Sequence, residues 1–500
     1  MYLVTVYNFN LALGWASSGV EYAQAYRESI FRKLKIQTKF VFAELILNGN
    51  IFDMADRIGM NVNNILPIHF YFTDLKPSIS SYTLEKFEKA YNVAHFNKRI
   101  TPEVVLYENS SVTVRVVLDD KHENVNYADY IINGYLIRKD HFTYTRTFSE
   151  YYTPVDNRAK VHRRVFYNEN GTIAYEQLID QENVLYNMGE KILYSEYEFV
   201  SYFLERIHPT NQDVLIIDRE KYIASAVLKN KNNAKVGVVI HAEHYSSNQT
   251  DEEHIVWNNF YEYQFMHADA IDFFVTATYR QKEQLENQFK RYKGITPKIE
   301  AIPVGNLDKL RGKRHKRNKN RLITASRLAT EKHIDWIVLA IIRLHESIPS
   351  VVLDIYGMGN QREKIQQMID EYNAASYINL KGHQDLTEIY KSYFGYVTAS
   401  QSEGFGLTLM EAVGSGLPMV GYDVPYGNQE FIDNDVNGYL VEYDHNIDQN
   451  IKRLGVGIEK LLRTNHYEIL KQASYQKAEQ FLEKNTKILW QKLIEEVTND

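Results

Sequence analysis

The sequence contains no cysteine in its 500 residues, which excludes disulfide bonds and thiolate metal sites. A chain without cysteine suits a reducing cytoplasm, although some exported bacterial proteins share this trait. The sequence also lacks the run of about 18 apolar residues that a membrane-spanning helix needs. Its N-terminal segment, MYLVTVYNFN, lacks the basic residues that begin a signal peptide. We therefore expect a cytoplasmic protein.

An excess of positive charge is absent as well, since the formal net charge is -7. This balance gives no general attraction to nucleic acid, and we expect no nucleic-acid partner. One segment is an exception to the overall negative charge. Residues 310–321, LRGKRHKRNKNR, carry seven lysines and arginines and no acid. A nucleic-acid-binding tail is one interpretation, but the aromatic residues of a single-strand platform are missing. We favour a solvated linker or a surface loop between domains.

The length exceeds what one ordinary hydrophobic core needs, so we expect two or three domains. Strands that alternate with amphipathic helices predict a Rossmann-like α/β domain from residues 1–64 and 196–305, on the acceptor side. Residues 65–195 instead contain short strands and turns such as Asn133-Gly134. This pattern predicts an antiparallel β-meander inserted into the first domain.

The strand and helix pattern resumes at 306–480 and predicts a second Rossmann-like domain, which would bind a nucleotide sugar. Residues 481–500 are predicted to form a C-terminal helix that packs back on the first domain. The fold class is therefore α/β, with two doubly wound domains facing a cleft and a β-meander inserted in the first. Ligands of open parallel sheets bind beyond the carboxyl ends of the strands, so candidate site residues should lie there.

Two cations follow the strand RLITA in the segment SRLATEK. Arg327 and Lys332 could hold a diphosphate there, the arginine with its planar fork and the lysine as a point charge. The alternative is a pair of surface charges at a helix start. Cations are disfavoured at a helix N-terminus unless an anion lies between them, which favours the diphosphate. His383, in the segment KGH, could stack on a base or could be an ordinary loop histidine.

The segment SEGFGLTLMEAVGSGLP, residues 402–418, places two glutamates around a glycine turn. The glycines allow backbone N–H groups to approach a phosphate or a sugar closely. Glu411, about one turn into a helix predicted at 407–413, could accept from a ribose diol. Glu403, before the glycines, would face the sugar beyond the phosphates. Alternatively, Glu403 caps the helix and Glu411 is a solvated helix charge.

The first predicted domain contributes two further candidates. The turn SSG, residues 17–19, precedes a helix and offers backbone amides to an anion. His241 and His244 follow a strand in the segment VVIHAEH. Zinc would require the HExxH spacing or a third ligand, so we predict no metal site. A histidine that donates to a sugar hydroxyl suits this position better.

Together these motifs resemble the retaining GT-B glycosyltransferases related to glycogen and sucrose synthases. The resemblance rests on two glutamates with seven residues between them, on SRLATEKHIDW and on IPVGNLD, residues 302–308. The last segment departs from the usual Ile-Pro-Asn-Gly-Val-Asp, because Val304 replaces the asparagine. One branch is more similar still, the GtfA subunits of the accessory secretion system of Gram-positive bacteria. That similarity is carried by GWASSGVEYAQAYR, YLIRKDHFTYTR, HAEHYS and VPYGNQEFI.

The resemblance implies transfer of N-acetylglucosamine from UDP-GlcNAc to serine and threonine of serine-rich repeat adhesins. It implies a catalytically silent homologue, GtfB, which helps to bind the acceptor and contacts the β-meander. No metal and no other cofactor is implied, and the resemblance is compatible with a peripheral contact at the inner face of the cell membrane. A wall-teichoic-acid α-GlcNAc transferase, acting on polyribitol phosphate, shares this architecture and is the alternative.

The resemblance also assigns donor-binding roles to residues of this sequence. These are Gly19 and Val20 as amides on the phosphate side, Arg327 and Lys332 at the diphosphate, His241 at the GlcNAc, His383 and Gln384 at the uridine, Glu411 at the ribose, and Glu403, Gly404, Phe405 and Gly406 at the sugar. We predict four of them to be catalytic, namely Glu403, Lys332, Arg327 and His241.

A retaining mechanism by double displacement needs a carboxylate nucleophile on the far face of the sugar, and the sequence offers no clear candidate. We therefore predict attack from the front face, with the departing UDP oxygen as the base. A non-enzymatic binding subunit on the same fold is the rival. Such a homologue should have lost several of Arg327, Lys332, Glu403 and Glu411, all of which are present. A phosphorylase-like enzyme, the third alternative, would carry a pyridoxal lysine.

Overall fold

The computed structural model describes residues 4–14, 19–218 and 222–499. The chain divides into two compact units, described separately below. The first unit comprises Met1–Val239, Asn259–Asp272 and Ile494–Asp500, and the second comprises Ile240–Asn258 and Phe273–Leu493. The domain boundaries expected from the sequence stay predictions.

The first unit contains a parallel sheet and a large antiparallel sheet. Its strands are β1 (Thr5–Asn10), β2 (Gln37–Phe42), β3 (Ile65–Pro67), β4 (Asn97–Ile100), β5 (Val104–Asn109), β6 (Val112–Leu118), β7 (Val125–Ile132), β8 (Tyr135–Phe142), β9 (Arg146–Val155), β10 (Arg158–Tyr167), β11 (Ile173–Asp180), β12 (Asn183–Asn187), β13 (Ile192–Leu193), β14 (Asp213–Ile217) and β15 (Lys235–Ile240). Its helices are α1 (Gly19–Leu34), α2 (Ile51–Arg57), α3 (Ile68–Tyr71), α4 (Leu84–Tyr91), α5 (Glu196–Ile207), α6 (Ile223–Asn230) and α7 (Glu262–Met266).

The parallel sheet of the first unit has the order β15–β14–β1–β2–β3. Its central strands are almost entirely buried, as a sheet covered on both faces requires. Helix α1 follows β1 and buries Ala23, Ile30 and Phe31, which share one helical face. Strand β1 and helix α1 therefore confirm the α/β pattern expected for this segment.

The predicted β-meander is a ten-stranded antiparallel sheet in which β4 to β13 lie in chain order. Between β7 and β8, Asn133 and Gly134 both have positive φ, 50° and 83°. Two such residues form the tight hairpin turn that matches the twist of the strands. The sequence signal for this hairpin is confirmed.

A row of alternating charges crosses the middle of this antiparallel sheet. In register on five neighbouring strands lie Arg115, Asp129, Lys139, Glu150 and Arg164. Both acids are buried, and the Arg164 Nε donates to Glu150 at 2.9 Å. Opposite charges on directly facing residues stabilise a sheet, and buried acids fix the strand register because a slip would leave them unpaired.

The second unit is also of the α/β type. Its strands are β16 (Phe273–Thr276), β17 (Ile299–Ala301), β18 (Arg321–Ala325), β19 (Val352–Tyr356), β20 (Ile378–Gly382), β21 (Gly395–Val397), β22 (Met419–Tyr422) and β23 (Gly438–Val441). Its helices are α8 (Tyr279–Gln288), α9 (Ile334–His345), α10 (Arg362–Glu371), α11 (Leu407–Gly414), α12 (Gly427–Phe431), α13 (Ile447–Arg463), α14 (Tyr467–Ala478) and α15 (Glu483–Asn499), of which the last turns belong to the first unit.

Strands β16 and β17 pair in parallel, and the other six form a parallel sheet of order β20–β19–β18–β21–β22–β23. Strands β19 and β20 follow β18 toward one edge of the sheet, and β22 and β23 follow β21 toward the other edge. The order therefore reverses between β18 and β21, and the loops after these two strands lie side by side at the carboxyl edge. Such a reversal is where open α/β sheets bind their ligands.

No residue of the basic segment 310–321 is buried, as expected for a solvated linker or surface loop. Arg317 donates to the backbone oxygen of Ser415 at 2.5 Å and to that of Tyr393 at 3.1 Å. The three lysines of the segment, Lys313, Lys316 and Lys319, are exposed. The segment is a surface loop, one of the two forms expected, and its own arginine ties it to the second unit.

None of the helices in the described part of the chain has the length and apolar character that crossing a membrane would require.

Candidate active site

The site forms where the strand order of the second unit reverses. Lys332 follows β18 and Glu403 follows β21, and these two loops are neighbours at the carboxyl edge. The Lys332 Nζ lies 2.5 Å from the Glu403 Oε2, and both side chains are partly buried. Two residues that are 71 positions apart in sequence thus form one charged pair at the place where a ligand is expected.

The Glu403 loop is held by backbone contacts. The backbone oxygen of Glu403 accepts from the backbone N–H groups of Tyr426, at 3.1 Å, and Gly427, at 2.6 Å. A Cβ on Gly427 would lie 2.1 Å from the Phe405 oxygen, so only glycine allows this approach. Gly406, with φ 93°, begins helix α11 without a side-chain cap. The alternative in which Glu403 caps this helix was wrong, because its carboxylate pairs with Lys332.

His241 lies beside this loop. A Cβ on Gly404 would meet the His241 backbone oxygen at 2.8 Å. The absence of a side chain at Gly404 therefore lets the two segments touch. The structure brings His241, Glu403 and Gly404 together, and their role at a sugar stays a prediction.

His244 has a different place. It is fully buried, and burial lowers its pKa to about 4. Its neutral ring donates from Nε2 to the Gln288 Oε1 at 2.6 Å, so Nδ1 is left as an acceptor. The Nε2–H of His244 is therefore already used inside the unit, which leaves His241 as the histidine of this segment that was predicted to contact the sugar.

The unprotonated Nδ1 of His244 contacts the tyrosine that holds the Glu403 loop. Its Nδ1 is 3.4 Å from both the Tyr426 hydroxyl and the Gln281 Nε2. The same Gln281 nitrogen donates to the Ala242 oxygen at 2.9 Å. One histidine thus links the backbone beside His241 to the tyrosine that holds Glu403. Sequence reasoning missed this network, although Tyr426 lies in the segment VPYGNQEFI that carried the resemblance.

Glu411 lies on α11, one turn beyond the glycines. Its Oε2 accepts from the Tyr390 hydroxyl at 3.1 Å. Burial raises its pKa to about 7, while the bond from Tyr390 opposes that rise. The alternative of a solvated helix charge was therefore wrong. A partly buried carboxylate with free acceptor capacity is suited to bind hydroxyl groups. Tyr390, its partner, carried no recognisable signal in the sequence.

The remaining predicted residues are more exposed. Arg327 is exposed and its Nη2 donates to the Glu331 Oε1 at 3.1 Å. His383 and Gln384 follow β20 and are exposed, and the Gln384 Nε2 donates to the Lys381 oxygen at 3.1 Å. Each follows the carboxyl end of a strand, as expected.

Two residues of the predicted phosphate side lie elsewhere in the chain. Gly19 and Val20 begin helix α1 of the first unit. The rest of the predicted anion-binding turn, Ser17 and Ser18, lies outside the described residues. The roles of the residues in donor binding stay predictions.

Within the described ranges, no three histidine, aspartate or glutamate side chains lie close enough together to hold a metal ion. Whether the reaction proceeds without metal stays a prediction.

Two family models match the sequence. Residues 95–190 match the GtfA extended beta-sheet domain, and residues 307–480 match the glycosyl transferases group 1. The chain is also 47% identical, over 442 residues, to the UDP-N-acetylglucosamine--peptide N-acetylglucosaminyltransferase GtfA subunit of Streptococcus agalactiae. That alignment covers 88% of this chain and 87% of the relative. The chain belongs to the GtfA family of glycosyltransferases.

Solved structures of this family have the same fold. The chain is similar to the crystal structure of the pneumococcal O-GlcNAc transferase GtfA in complex with UDP and GlcNAc, with a TM-score of 0.95, 44% identity and 100% coverage of both chains. It is similar to a chain of a GtfA/B complex, with a TM-score of 0.92, 44% identity and coverage of 99% and 100%. The predicted GT-B fold with its β insertion is confirmed, and so is the prediction of a glycosyltransferase.

Proposed function

We propose that this chain transfers N-acetylglucosamine from UDP-GlcNAc to serine and threonine hydroxyls of a serine-rich repeat adhesin, as the first step of its O-glycosylation. The observation that supports it most is the pair of Lys332 and Glu403 at the reversal of strand order. The ammonium group of Lys332 suits a diphosphate, and the carboxylate of Glu403 suits sugar hydroxyls. The choice of UDP-GlcNAc as the donor is supported by the relatives, one of which was crystallised with UDP and GlcNAc.

The sugar and diphosphate end has complementary charges. Lys332 neutralises Glu403 and can face a diphosphate at the same time, since an ammonium group carries three donors. Arg327 is exposed on the same loop and can turn from Glu331 toward a bound anion, for which a bidentate fork is well shaped. Glu403 then accepts from hydroxyls of the transferred sugar, beside His241.

The nucleotide end relies on Glu411. Its carboxylate accepts from the ribose diol, while His383 and Gln384 lie at the uracil base. The two glutamates of the segment therefore have separate tasks on one rigid turn. Neither serves as a nucleophile.

The reaction retains the configuration of the donor by attack from the front face. As the bond between C1 and the UDP oxygen breaks, that oxygen gains negative charge and takes the proton of the acceptor hydroxyl. The acceptor oxygen then bonds to C1 on the same face. Lys332 and Arg327 stabilise the departing diphosphate, a task that a metal ion performs in other transferases, and losing one such contact typically costs about 3–4 kcal/mol in the transition state.

The partner is a catalytically silent homologue, GtfB, bound through the antiparallel sheet. The supporting observations are that residues 95–190 match the family's extended beta-sheet domain and that a relative crystallised as a GtfA/B complex. The alternative acceptor, polyribitol phosphate, is less supported, because the near-full-length relatives are named as peptide transferases. A cytoplasmic location stays a prediction.

Lys332→Ala tests the donor site. We expect transfer and UDP-GlcNAc hydrolysis to fall by about 100- to 1,000-fold, the loss typical of one oxyanion-stabilising contact. The matched control is Lys364→Ala, which also breaks a lysine–carboxylate pair of the same unit, with Asp335 at 2.8 Å. We expect the control to keep its activity, and full activity of Lys332→Ala would contradict the proposal.

A further inference from the structure

Glu243 is a carboxylic acid of the second unit that meets the turn of Glu403. The segment that contains His241 and Glu243 runs beside this turn. A Cβ on Gly404 would lie 2.8 Å from the His241 backbone oxygen, so the two segments touch there. On the other side of Glu403, the side chain of Ser402 is a neighbour of the Glu243 carboxyl group. Glu243 therefore reaches the candidate active site from the same segment as His241.

The carboxyl group of Glu243 has no cation to balance its charge. Its side chain is partly buried, and burial raises its pKa above the ordinary value, while the nearby Ser402 side chain opposes that rise. No ion pair within the described ranges involves Glu243, whereas Glu403 pairs with Lys332. A partly buried carboxyl group without a partner of opposite charge is unfavourable, and hydrogen-bond donors from a ligand would stabilise it.

Two tyrosines lie near Glu243 but do not donate to it. After burial, the charge of Glu243 contributes to the raised pKa of both Tyr245 and Tyr426. Their hydroxyl groups are engaged elsewhere, because that of Tyr245 accepts from the Gln284 Nε2 and that of Tyr426 lies 3.4 Å from the His244 Nδ1. Of the described side chains, only that of Ser402 offers the carboxylate a hydrogen bond. An ionised carboxylate has room for several donors.

The subsites of the proposed function follow one another along the chain. Glu411, on helix α11, is at the ribose, and Glu403, before that helix, is at the sugar. Glu243 meets the chain at Ser402, one step further in the same direction. In the sugar, C1 bears the UDP oxygen, and the C4 and C6 hydroxyl groups lie toward the opposite end of the ring. Glu243 is therefore placed near the end of the sugar that is remote from the diphosphate.

We propose that Glu243 is a further donor-binding residue, which accepts a hydrogen bond from the C4 or the C6 hydroxyl group of N-acetylglucosamine. The assignment rests on the proposed function, which places the sugar at Glu403. Hydrogen bonds from a hydroxyl group to a carboxylate are among the strong ones. Glu243 and Glu403 then hold different hydroxyl groups of one sugar, which prevents the ring from turning about its bond to the diphosphate and keeps C1 in place for the acceptor.

Binding of the donor to the full chain together with its partner subunit tests this role without any acceptor. Glu243→Gln keeps the shape of the side chain and removes its charge. We expect the Kd for UDP-GlcNAc, measured by calorimetric titration, to rise by about 5- to 10-fold, the difference between a charged and a neutral hydrogen-bond acceptor. The Kd for UDP should not change. Glu253→Gln, at an exposed position of the same segment, is the matched control and should change neither value.

Donors that lack one hydroxyl group identify the contact. We expect a UDP-GlcNAc analogue without the contacted hydroxyl, at C4 or at C6, to bind the unmodified chain about 10- to 100-fold less tightly. The same analogue should cost the Glu243→Gln variant about 5- to 10-fold less, because groups in contact have non-additive effects. A glutamate that merely supports the Glu403 turn would give equal losses in both proteins, and this result would overturn the assignment.

The unmodified chain alone provides a second test, which does not depend on how the variant folds. If it binds both deoxygenated donors as tightly as UDP-GlcNAc, the assignment is overturned. A failure of the proposed function has a different signature. If no sugar reaches a peptide, the acceptor is wrong, and the donor-binding data still decide the role of Glu243. If UDP binds and UDP-GlcNAc does not, the donor is wrong and the assignment falls with it.

Discussion

Replacing Glu411 by glutamine keeps the shape of the side chain and removes a partly buried negative charge. Burial raises the folded-state pKa of this carboxyl to about 7, above the ordinary 4.5. Between these two pH values the unfolded chain releases the proton while the folded protein keeps it. The native protein is therefore fully stabilised by this group below about pH 4.5, and it loses that stability as the pH rises to about 7.

The size of this loss follows from the two pKa values. Each pH unit between them costs about 1.4 kcal/mol, so the free energy of unfolding falls by about 3 kcal/mol. Glutamine does not ionise and avoids the loss. We expect Glu411→Gln to unfold at a higher temperature than the wild type at pH 8, with the difference vanishing at pH 4.5. Thermal unfolding between pH 4.5 and 8.5 measures it.

The same variant should bind UDP less well, because a carboxylate that accepts from the ribose is worth about 1.5–3 kcal/mol, or roughly 10- to 100-fold in Kd. Calorimetric titration with UDP at pH 8 measures this. Glu388→Gln, at an exposed position, is the control and should change neither quantity. A variant that is more stable at high pH yet binds UDP normally would show that Glu411 does not contact the nucleotide. A pH-independent stability difference would refute the raised pKa.

Three further predictions concern the loops and the chemistry. Tyr426→Phe should lower kcat by about 2- to 10-fold with an unchanged Kd for UDP, because it removes the contact to His244 that supports the Glu403 loop. Tyr422→Phe is the control and should keep kcat, because it removes a buried hydroxyl that has no hydrogen-bond partner among the described residues. Gly357→Ala should unfold the second unit at lower temperature, since φ is 131° and a Cβ would lie 1.8 Å from the Ser326 oxygen. Gly455→Ala, in helix α13, should instead be stabilising by about 0.5–1 kcal/mol, because its Cβ would meet only the Ala340 Cβ, at an ordinary contact distance of 4.0 Å. Activity should persist in EDTA, and strict dependence on a divalent ion in a rate assay would contradict the proposed role of Lys332 and Arg327.

The architecture could be predicted because its signals are local. Alternating residues and the turn Asn133-Gly134 fix a hairpin within a few positions, and the helix 407–413 follows directly from a run of apolar residues after glycines. The meeting of Lys332 and Glu403 was also within reach, since both follow strands of one parallel sheet. Carboxyl ends of such strands share an edge, whatever lies between them in sequence.

The supporting contacts could not be predicted, because they depend on packing between distant segments. Nothing near His244 in sequence indicates that Gln288 will take its N–H, so the sequence alone could not show that this histidine is engaged inside the unit. The contacts of Arg317 were out of reach for a related reason. The composition of segment 310–321 correctly indicates a solvated loop, but the two backbone oxygens that accept from Arg317 come together only once the second unit has folded.

The proposed activity is tested most directly by incubating the purified chain with radiolabelled UDP-GlcNAc and a Ser/Thr-rich peptide, with and without the partner subunit. Parallel reactions contain polyribitol phosphate instead of the peptide. We predict label on the peptide in α linkage, lost when its serines and threonines are replaced by alanine, and no label on polyribitol phosphate. Label on polyribitol phosphate alone, or no transfer to peptide even with the partner present, would contradict the account.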